Sequence, residues 1–193
     1  MNTHTIILAA GKGTRMNTNL PKVMQPLGGI SLIEHVISTA QEISKKITVV
    51  IGHQKNLLKE HLDEIDPIIE TVNQENQLGT AHAVKIASHL IQHDERVLIL
   101  YGDVPLISNK TIQSLLDSEN NCTLLSMILS DPTGYGRIVS NEENLALKII
   151  EQKDASEDER KIKEVFTGIL LIDGSLLRPA LEEINNQNAA NEY

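Results

Sequence analysis

Near its start the chain reads Thr5-Ile6-Ile7-Leu8-Ala9-Ala10-Gly11-Lys12-Gly13-Thr14-Arg15-Met16. The apolar half of this stretch, Thr5–Ala10, is typical of a strand buried on both faces, as in a parallel sheet. Two glycines follow closely, and glycine lets a backbone approach a ligand and aim its N–H groups at phosphate oxygens. The stretch therefore predicts an α/β fold with a ligand-binding loop directly after its first strand.

The glycine-rich turn matches neither of the two best-known nucleotide motifs. A Walker A loop needs a glycine, four residues and then Gly-Lys-Ser/Thr, and the dinucleotide fingerprint needs a third glycine that is missing here. A tight strand-to-helix turn with solvated cations explains the same residues. The local charge favours an anion site, because the first 33 residues carry three cations (Lys12, Arg15 and Lys22) and no carboxylate before Glu34.

The composition limits the possible partners of the chain. Its 193 residues contain 17 Lys+Arg against 26 Asp+Glu, a net charge of −9, and only 2% are aromatic. We expect an aliphatic core and no nucleic-acid or membrane partner, because a phosphate backbone requires a basic face and no apolar run approaches membrane length. The single cysteine, Cys122, excludes an internal disulfide and predicts a cytoplasmic location. Cys122 has no nearby base in sequence, which favours an inert thiol over a nucleophile.

Apolar runs alternate with segments of helical period along the chain. The predicted strands are Thr5–Ala10, Ile47–Ile51, Ile68–Val72, Val97–Tyr101, Thr123–Leu129, Ala146–Ile150 and Val165–Ile172. The predicted helices are Ser31–Ser44, Asn56–Ile65, Thr80–Ile91, Lys110–Leu116 and Leu176–Ile184. This order predicts one domain over residues 1–193: a mostly parallel, Rossmann-like sheet with helices on both faces, more mixed after Leu129. Open sheets of this kind bind ligands at the carboxyl ends of their strands.

Three loops are therefore candidate site segments, those after Ala10, Val72 and Tyr101. Asp103 leaves a buried strand where a carboxylate can hold Mg²⁺ against phosphates, or it shapes the turn through its own backbone. The segment Asn73–Ala81 offers amide side chains that suit the edge of a base, or it is a polar loop with a helix cap.

Two further segments have both a functional and a structural explanation. Asp131–Ile138 contains two glycines around Tyr135, which indicates either close contact with a ligand or a surface turn. Glu151 follows an apolar run and either accepts hydrogen bonds from sugar hydroxyls or is solvated. The helical histidines, His35, His61, His82 and His89, have no partners at metal-ligand spacing, so we expect packing or surface roles for them.

Taken together, these segments resemble one family. Its motifs occur in order as Leu8–Met16, Leu20–Val23, Gln77–Thr80, Tyr101–Ile107, Asp131–Ile138 and Glu151–Ala155. They look like the uridylyltransferase domain of the bifunctional N-acetylglucosamine-1-phosphate uridylyltransferase/glucosamine-1-phosphate acetyltransferases. The resemblance covers nearly the whole chain and implies a nucleotide-diphospho-sugar transferase fold. It also implies that UTP and N-acetylglucosamine 1-phosphate react to UDP-N-acetylglucosamine and pyrophosphate; another sugar 1-phosphate or nucleotide, or a nucleotide-binding domain with little activity, remain alternatives.

The same resemblance implies roles for individual residues. Arg15 and Lys22 would be catalytic, neutralising the phosphates, and Asp103 would hold the Mg²⁺ cofactor. The sugar would contact Gly136 and Glu151. The nucleotide would be bound by Leu8, Ala9, Ala10, Gly11, Gln74, Gly79, Thr80, Tyr101 and Gly102.

The chain departs from the family pattern at two places. Phe166 precedes Thr167-Gly168 where the family usually has an Asn that holds the amino sugar, so the sugar preference is open. The resemblance also stops at Tyr193, short of the family's second metal-ligating Asn and of its left-handed β-helix acetyltransferase domain, which makes the trimer contacts. On this basis we expect a domain that is incomplete at its C-terminus, does not transfer acetyl groups, and is a monomer.

Overall fold

An eight-stranded sheet with helices on both faces forms the centre of the protein. A computed structural model describes residues 2–13, 20–186 and 193. Its strands are β1 Asn2–Leu8, β4 Lys46–Ile51, β5 Glu70–Asn73, β6 Glu95–Tyr101, β7 Cys122–Ile128, β8 Arg137–Ser140, β9 Ala146–Ile150 and β10 Glu164–Asp173. A separate two-stranded ribbon pairs β2 Pro26–Leu27 with β3 Ile30–Ser31.

Five α-helices accompany the sheet in the described residues. They are α1 Leu32–Gln41, α2 Lys55–Ile65, α3 Thr80–Ala87, α4 Asn109–Leu116 and α5 Gly174–Glu183. Ser31 caps α1, since its hydroxyl accepts the N–H of Glu34 at 3.2 Å. The predicted third helix is shorter than expected, because α3 ends at Ala87 and a 3₁₀ turn, Ser88–Leu90, completes it.

The strand order confirms the predicted change of character along the chain. Strands β5, β4, β1 and β6 are neighbours in that order and parallel. Strand β10 is antiparallel to β6 and is itself paired with β7 and, through Val165, with β8. The sequence did not predict β8, which lies inside the stretch interpreted as a turn between two strands.

Alternate residues of each central strand enter two separate aliphatic cores. Ile7 and Val49 face α1, α2 and α4, whereas Ile6 and Val50 face α3 and α5. No aromatic side chain is among the buried hydrophobic residues of the described chain, which agrees with the aliphatic core expected from composition. No helix in this part of the chain is both long and apolar enough to cross a membrane.

A buried polar cluster lies at the amino ends of the strands. His4, fully buried in β1, contacts the Glu95 carboxylate through Nδ1 at 2.9 Å and the Thr48 hydroxyl through Nε2 at 2.8 Å. Burial lowers the pKa of His4 more than the hydrogen bond to Glu95 raises it. The folded protein therefore holds this ring neutral at a pH where the unfolded chain protonates it.

We predict a loss of stability in mild acid that depends on His4. The unfolded state binds more protons than the folded state below the ordinary histidine pKa of about 6.5, so the free energy of unfolding falls as pH decreases through that value and is level above it. Thermal unfolding between pH 5 and pH 8 measures this. A His4→Gln variant should flatten the dependence, whereas His93→Gln, at an exposed position, should retain it. Equal slopes in both variants would contradict this explanation.

Candidate active site

The carboxyl ends of the parallel strands are held together by backbone hydrogen bonds that extend beyond the strands. The N–H of Ala9 donates to Val50 at 2.9 Å, that of Gln74 to Ile51 at 2.7 Å, and that of Gly102 to Leu8 at 3.0 Å. The three loops predicted from the sequence consequently leave the sheet side by side. Between them lies a cleft of about 500 Å³, a volume in the range of small-molecule sites.

Most of the predicted site residues line this cleft. It is bordered by Leu8, Ala9, Ala10, Gly11, Lys22, Gln74, Gly79, Thr80, Tyr101 and Asp103, together with Gly13, Val23, Gln77 and Ala83, which the sequence did not single out as site residues. Gly102 lies behind the wall, where an added Cβ would be 3.1 Å from Val23. Arg15 falls outside the described residues.

The first glycine-rich turn is shaped by its second glycine. Gly13 has a φ of +58°, and a Cβ there would lie 2.9 Å from the Cβ of Lys22. An added Cβ at Gly11 would meet nothing within 4 Å. Gly13 is therefore the residue that brings the loop against Lys22, and the open side at Gly11 leaves room beside the backbone.

One end of the cleft carries opposite charges in contact. The Lys22 ammonium lies 2.5 Å from a carboxylate oxygen of Asp103, and both side chains are partly exposed. These two residues are 81 positions apart in sequence and meet because the loops after β1 and β6 are neighbours. A cation that enters the cleft can replace Lys22 beside Asp103, and a phosphate can replace Asp103 beside Lys22. Either exchange costs little free energy, since partly exposed ion pairs contribute little stability.

The other end of the cleft is neutral and rich in hydrogen-bonding groups. Gln74 is 3% exposed, and its amide nitrogen donates to the Gly79 carbonyl at 3.1 Å. Tyr101 lies between the two ends. Burial raises the pKa of the Tyr101 phenol, a hydrogen bond with Thr80 opposes this, and the nearby carboxylates of Asp103 and Glu151 raise it further. Tyr101 is therefore a neutral hydrogen-bonding group at physiological pH.

The two predicted sugar contacts lie next to each other but outside the residues that line the cleft. A Cβ on Gly136 would lie 3.1 Å from the Glu151 carboxylate. Tyr101 connects them to the cleft, because the carboxylate of Glu151 is close enough to raise the pKa of its phenol. The ring of Tyr101 also packs on Gly168 of β10. The sequence did not predict this contact between Gly168 and the Tyr101 ring.

Arg137 connects the two segments in which the sugar contacts are predicted, and the sequence analysis did not single it out. Arg137 is 1% exposed. Its guanidinium donates to the Tyr135 carbonyl and, at 2.5 Å, to the Gln152 side chain, while Nε has no partner in the described residues. Arg137 forms no ion pair within that part of the chain. Because a buried cation without a counter-charge is costly, its presence next to Gly136 is unusual for a surface turn.

Cys122 and the four helical histidines are the other reactive residues that the sequence singles out. Burial raises the pKa of the Cys122 thiol and Asp173 raises it further, which agrees with an inert thiol. Among the described residues, no three His, Cys, Asp or Glu side chains form a cluster that could hold a metal alone. His82 is the exception among the histidines, since its Nδ1 lies 3.0 Å from the Gln74 amide nitrogen at the edge of the cleft.

Comparison with known proteins gives the family. The model of the MobA-like NTP transferase domain matches residues 5–165, most of the chain. The chain belongs to the MobA-like NTP transferase family. This NTP transferase domain is 44% identical to the bifunctional protein GlmU of Marinobacter nauticus over 193 residues, covering 98% of the chain and 42% of that protein. It therefore spans less than half the length of this relative.

A solved structure of a nucleotide-sugar enzyme has the same fold. The crystal structure of a UDP-glucose pyrophosphorylase complexed with UDP-glucose superposes with a TM-score of 0.79 at 19% identity, covering 100% of this chain and 83% of that one. At this identity the likeness concerns the fold, and it confirms the predicted nucleotide-sugar transferase type with a mostly parallel central sheet. The 44% identity to GlmU confirms the resemblance to the GlmU-like uridylyltransferase domain. The chain is thus a nucleotidyltransferase of the sugar-1-phosphate type.

Proposed function

We propose that this domain transfers the uridylyl group of UTP to N-acetylglucosamine 1-phosphate and releases pyrophosphate. The observation that carries the proposal is the polarity of the cleft: the Lys22–Asp103 ion pair lies at one end and the neutral Gln74 amide at the other. A nucleoside triphosphate has the same division into charged phosphates and a neutral base. The identity to GlmU supports uridine and the amino sugar.

The proposed reaction is a direct displacement. An oxygen of the sugar phosphate attacks the α-phosphorus of UTP in line, forming one P–O bond while the bond to the β-phosphate oxygen breaks and pyrophosphate leaves with the electron pair. No covalent enzyme intermediate is needed, so catalysis consists of positioning and charge neutralisation. Lys22, whose ammonium lies at the charged end of the cleft, has the proposed role of neutralising phosphate charge there. Arg15 has the same proposed role from the family resemblance.

Magnesium fits this end of the cleft. Mg²⁺ usually takes only one or two carboxylates from a protein and fills its shell with substrate oxygens and water, so Asp103 is sufficient if phosphates complete the site. Its carboxylate is partly exposed and is held by the long, flexible side chain of Lys22. When bound, the ion would screen the triphosphate and make the α-phosphorus more electrophilic. We place the reaction in the cytoplasm, where a chain with one cysteine stays reduced.

Pyrophosphate release tests the proposal. The protein is mixed with UTP, Mg²⁺ and N-acetylglucosamine 1-phosphate, and then with a panel in which ATP, CTP, GTP or dTTP replaces UTP and glucose, glucosamine or galactose 1-phosphate replaces the amino sugar. Release that requires both UTP and N-acetylglucosamine 1-phosphate supports the proposal. A preference for glucose 1-phosphate supports the alternative of the same chemistry on another sugar. UTP binding without pyrophosphate from any sugar phosphate supports a nucleotide-binding domain of little activity.

Phe166 is the reason for testing other sugars. Its N–H donates to the Gly136 carbonyl at 2.9 Å, so its backbone adjoins the proposed sugar contacts. We predict that Phe166→Asn raises kcat/KM for N-acetylglucosamine 1-phosphate by about tenfold, because an amide supplies hydrogen bonds that phenylalanine lacks. The KM for UTP should not change. Ile128→Asn, at an exposed position of the neighbouring strand β7, is the matched control. An unchanged sugar kcat/KM in Phe166→Asn would contradict the prediction.

A further inference from the structure

The amide of Gln74 is fixed in one orientation by its surroundings. Its nitrogen lies 3.1 Å from the carbonyl oxygen of Gly79. A backbone carbonyl only accepts hydrogen bonds, so the amide nitrogen and not the amide oxygen must face it. The same nitrogen lies 3.0 Å from Nδ1 of His82, eight residues further along the chain.

This arrangement also fixes the ring of His82. Both hydrogens of the Gln74 amide are used, one by Gly79 and one by His82, so Nδ1 of His82 must carry a lone pair and Nε2 the hydrogen. His82 lies on the first turn of α3, half-buried, and its ring also packs against the Tyr193 ring with centroids 5.9 Å apart. The histidine is thus held as an acceptor beside the amide.

The backbone of Gln74 is held equally firmly. Its N–H donates to the Ile51 carbonyl at 2.7 Å, and its carbonyl accepts from the Gln77 side chain at 3.1 Å. The one group left is the side-chain oxygen. No described residue is hydrogen-bonded to this oxygen. It is not among the fully buried polar atoms that lack a partner, so it is accessible from outside, and Gln74 lines the cleft. A carbonyl acceptor is therefore presented to whatever occupies the neutral end.

We propose that His82 is a positioning residue that keeps the Gln74 carbonyl turned to the cleft, so that this end selects a nucleobase with a ring N–H over one with a ring lone pair. Uracil presents an N–H at its third ring position, and cytosine presents a lone pair there. A carbonyl attracts the first and repels the second, and a site built for one hydrogen-bonding pattern rejects the other because buried polar groups stay unpaired. The inference rests on the proposed function in placing the base at this end.

Nucleotide binding in the absence of sugar phosphate tests the inference. Dissociation constants for UTP and CTP are measured by calorimetry on the full chain, and the readout is their ratio. The wild type should prefer UTP, and His82→Leu should reduce the preference about tenfold, because the amide loses one of its two anchors. His82→Asn should retain most of it, since an asparagine oxygen can occupy the position of Nδ1. His89→Leu, in the exposed 3₁₀ turn after α3, should leave the ratio unchanged.

Two results would overturn the inference. One is an unchanged ratio in a folded His82→Leu protein. The other is ¹⁵N NMR of the wild type in mildly alkaline buffer that finds Nδ1 of His82 protonated, a measurement that needs no variant to fold. Failure of the proposed function is distinct, because it appears as absent pyrophosphate release while the UTP-to-CTP ratio still responds to His82.

Discussion

Asp103→Asn is expected to reduce pyrophosphate release by at least about 10³-fold, because the substitution removes the only carboxylate among the described residues that line the cleft. Asparagine has nearly the same shape as aspartate, so the loop after β6 should keep its conformation. In the absence of magnesium, UTP should bind as tightly as to the wild type or more tightly. The reason is electrostatic: a neutral amide at this position would release the Lys22 ammonium from its ion pair and remove a negative charge from beside the triphosphate.

The comparison of turnover with metal-free affinity separates a metal ligand from a turn residue. Asp94→Asn is the matched control, because Asp94 is exposed in the turn before β6, at the opposite edge of the sheet. Its turnover should equal that of the wild type. If Asp103 only shapes its turn, the substitution to Asn will weaken metal-free UTP binding and lower the melting temperature together. Turnover within tenfold of the wild type would contradict the assignment of Asp103.

The central strands could be predicted because their two faces are both buried. Ile6 and Ile7 enter different cores, which gives the continuous apolar run that identifies a parallel strand. Strand β8 could not be predicted because it is not a continuous run of apolar residues. It begins with Arg137, a charged residue that is buried only because the Tyr135 carbonyl and Gln152 surround it, and no periodicity reports such a partner.

Part of the candidate site could be predicted from the sequence, and part could not. The loops at the strand ends were predictable, since topology alone places them together and Lys22 meets Asp103 there. The role of His82 was not, because its contact is with a loop residue at no characteristic helical spacing. Nor was that of Gly168, whose need to be glycine comes in part from an aromatic ring on another strand. Contacts that depend on three-dimensional neighbours leave no local pattern in the sequence.

Gly168→Ala is expected to lower the free energy of unfolding by about 3 kcal/mol. Its φ of +89° is a left-handed conformation that costs alanine roughly 1–2 kcal/mol. A Cβ would also lie 2.8 Å from both Cζ and the hydroxyl of Tyr101, with Cε2 nearer still, and overpacking of this kind costs roughly 1–3 kcal/mol more. Because Tyr101 lines the cleft, its displacement should weaken UTP binding as well. Chemical denaturation and calorimetry measure the two effects.

Gly134→Ala is the matched control for the backbone part of this loss. Gly134 has nearly the same φ, +88°, but a Cβ there would meet nothing within 4 Å, so only the roughly 1–2 kcal/mol of backbone strain should appear. The difference between the two variants in free energy of unfolding measures the collision with the Tyr101 ring. Adding Tyr101→Leu to Gly168→Ala removes the ring atoms that collide and should recover that difference in a double-mutant cycle. Equal losses in the two glycine variants, with no coupling to Tyr101, would mean that Gly168 serves only the backbone of β10 and does not hold the wall of the cleft.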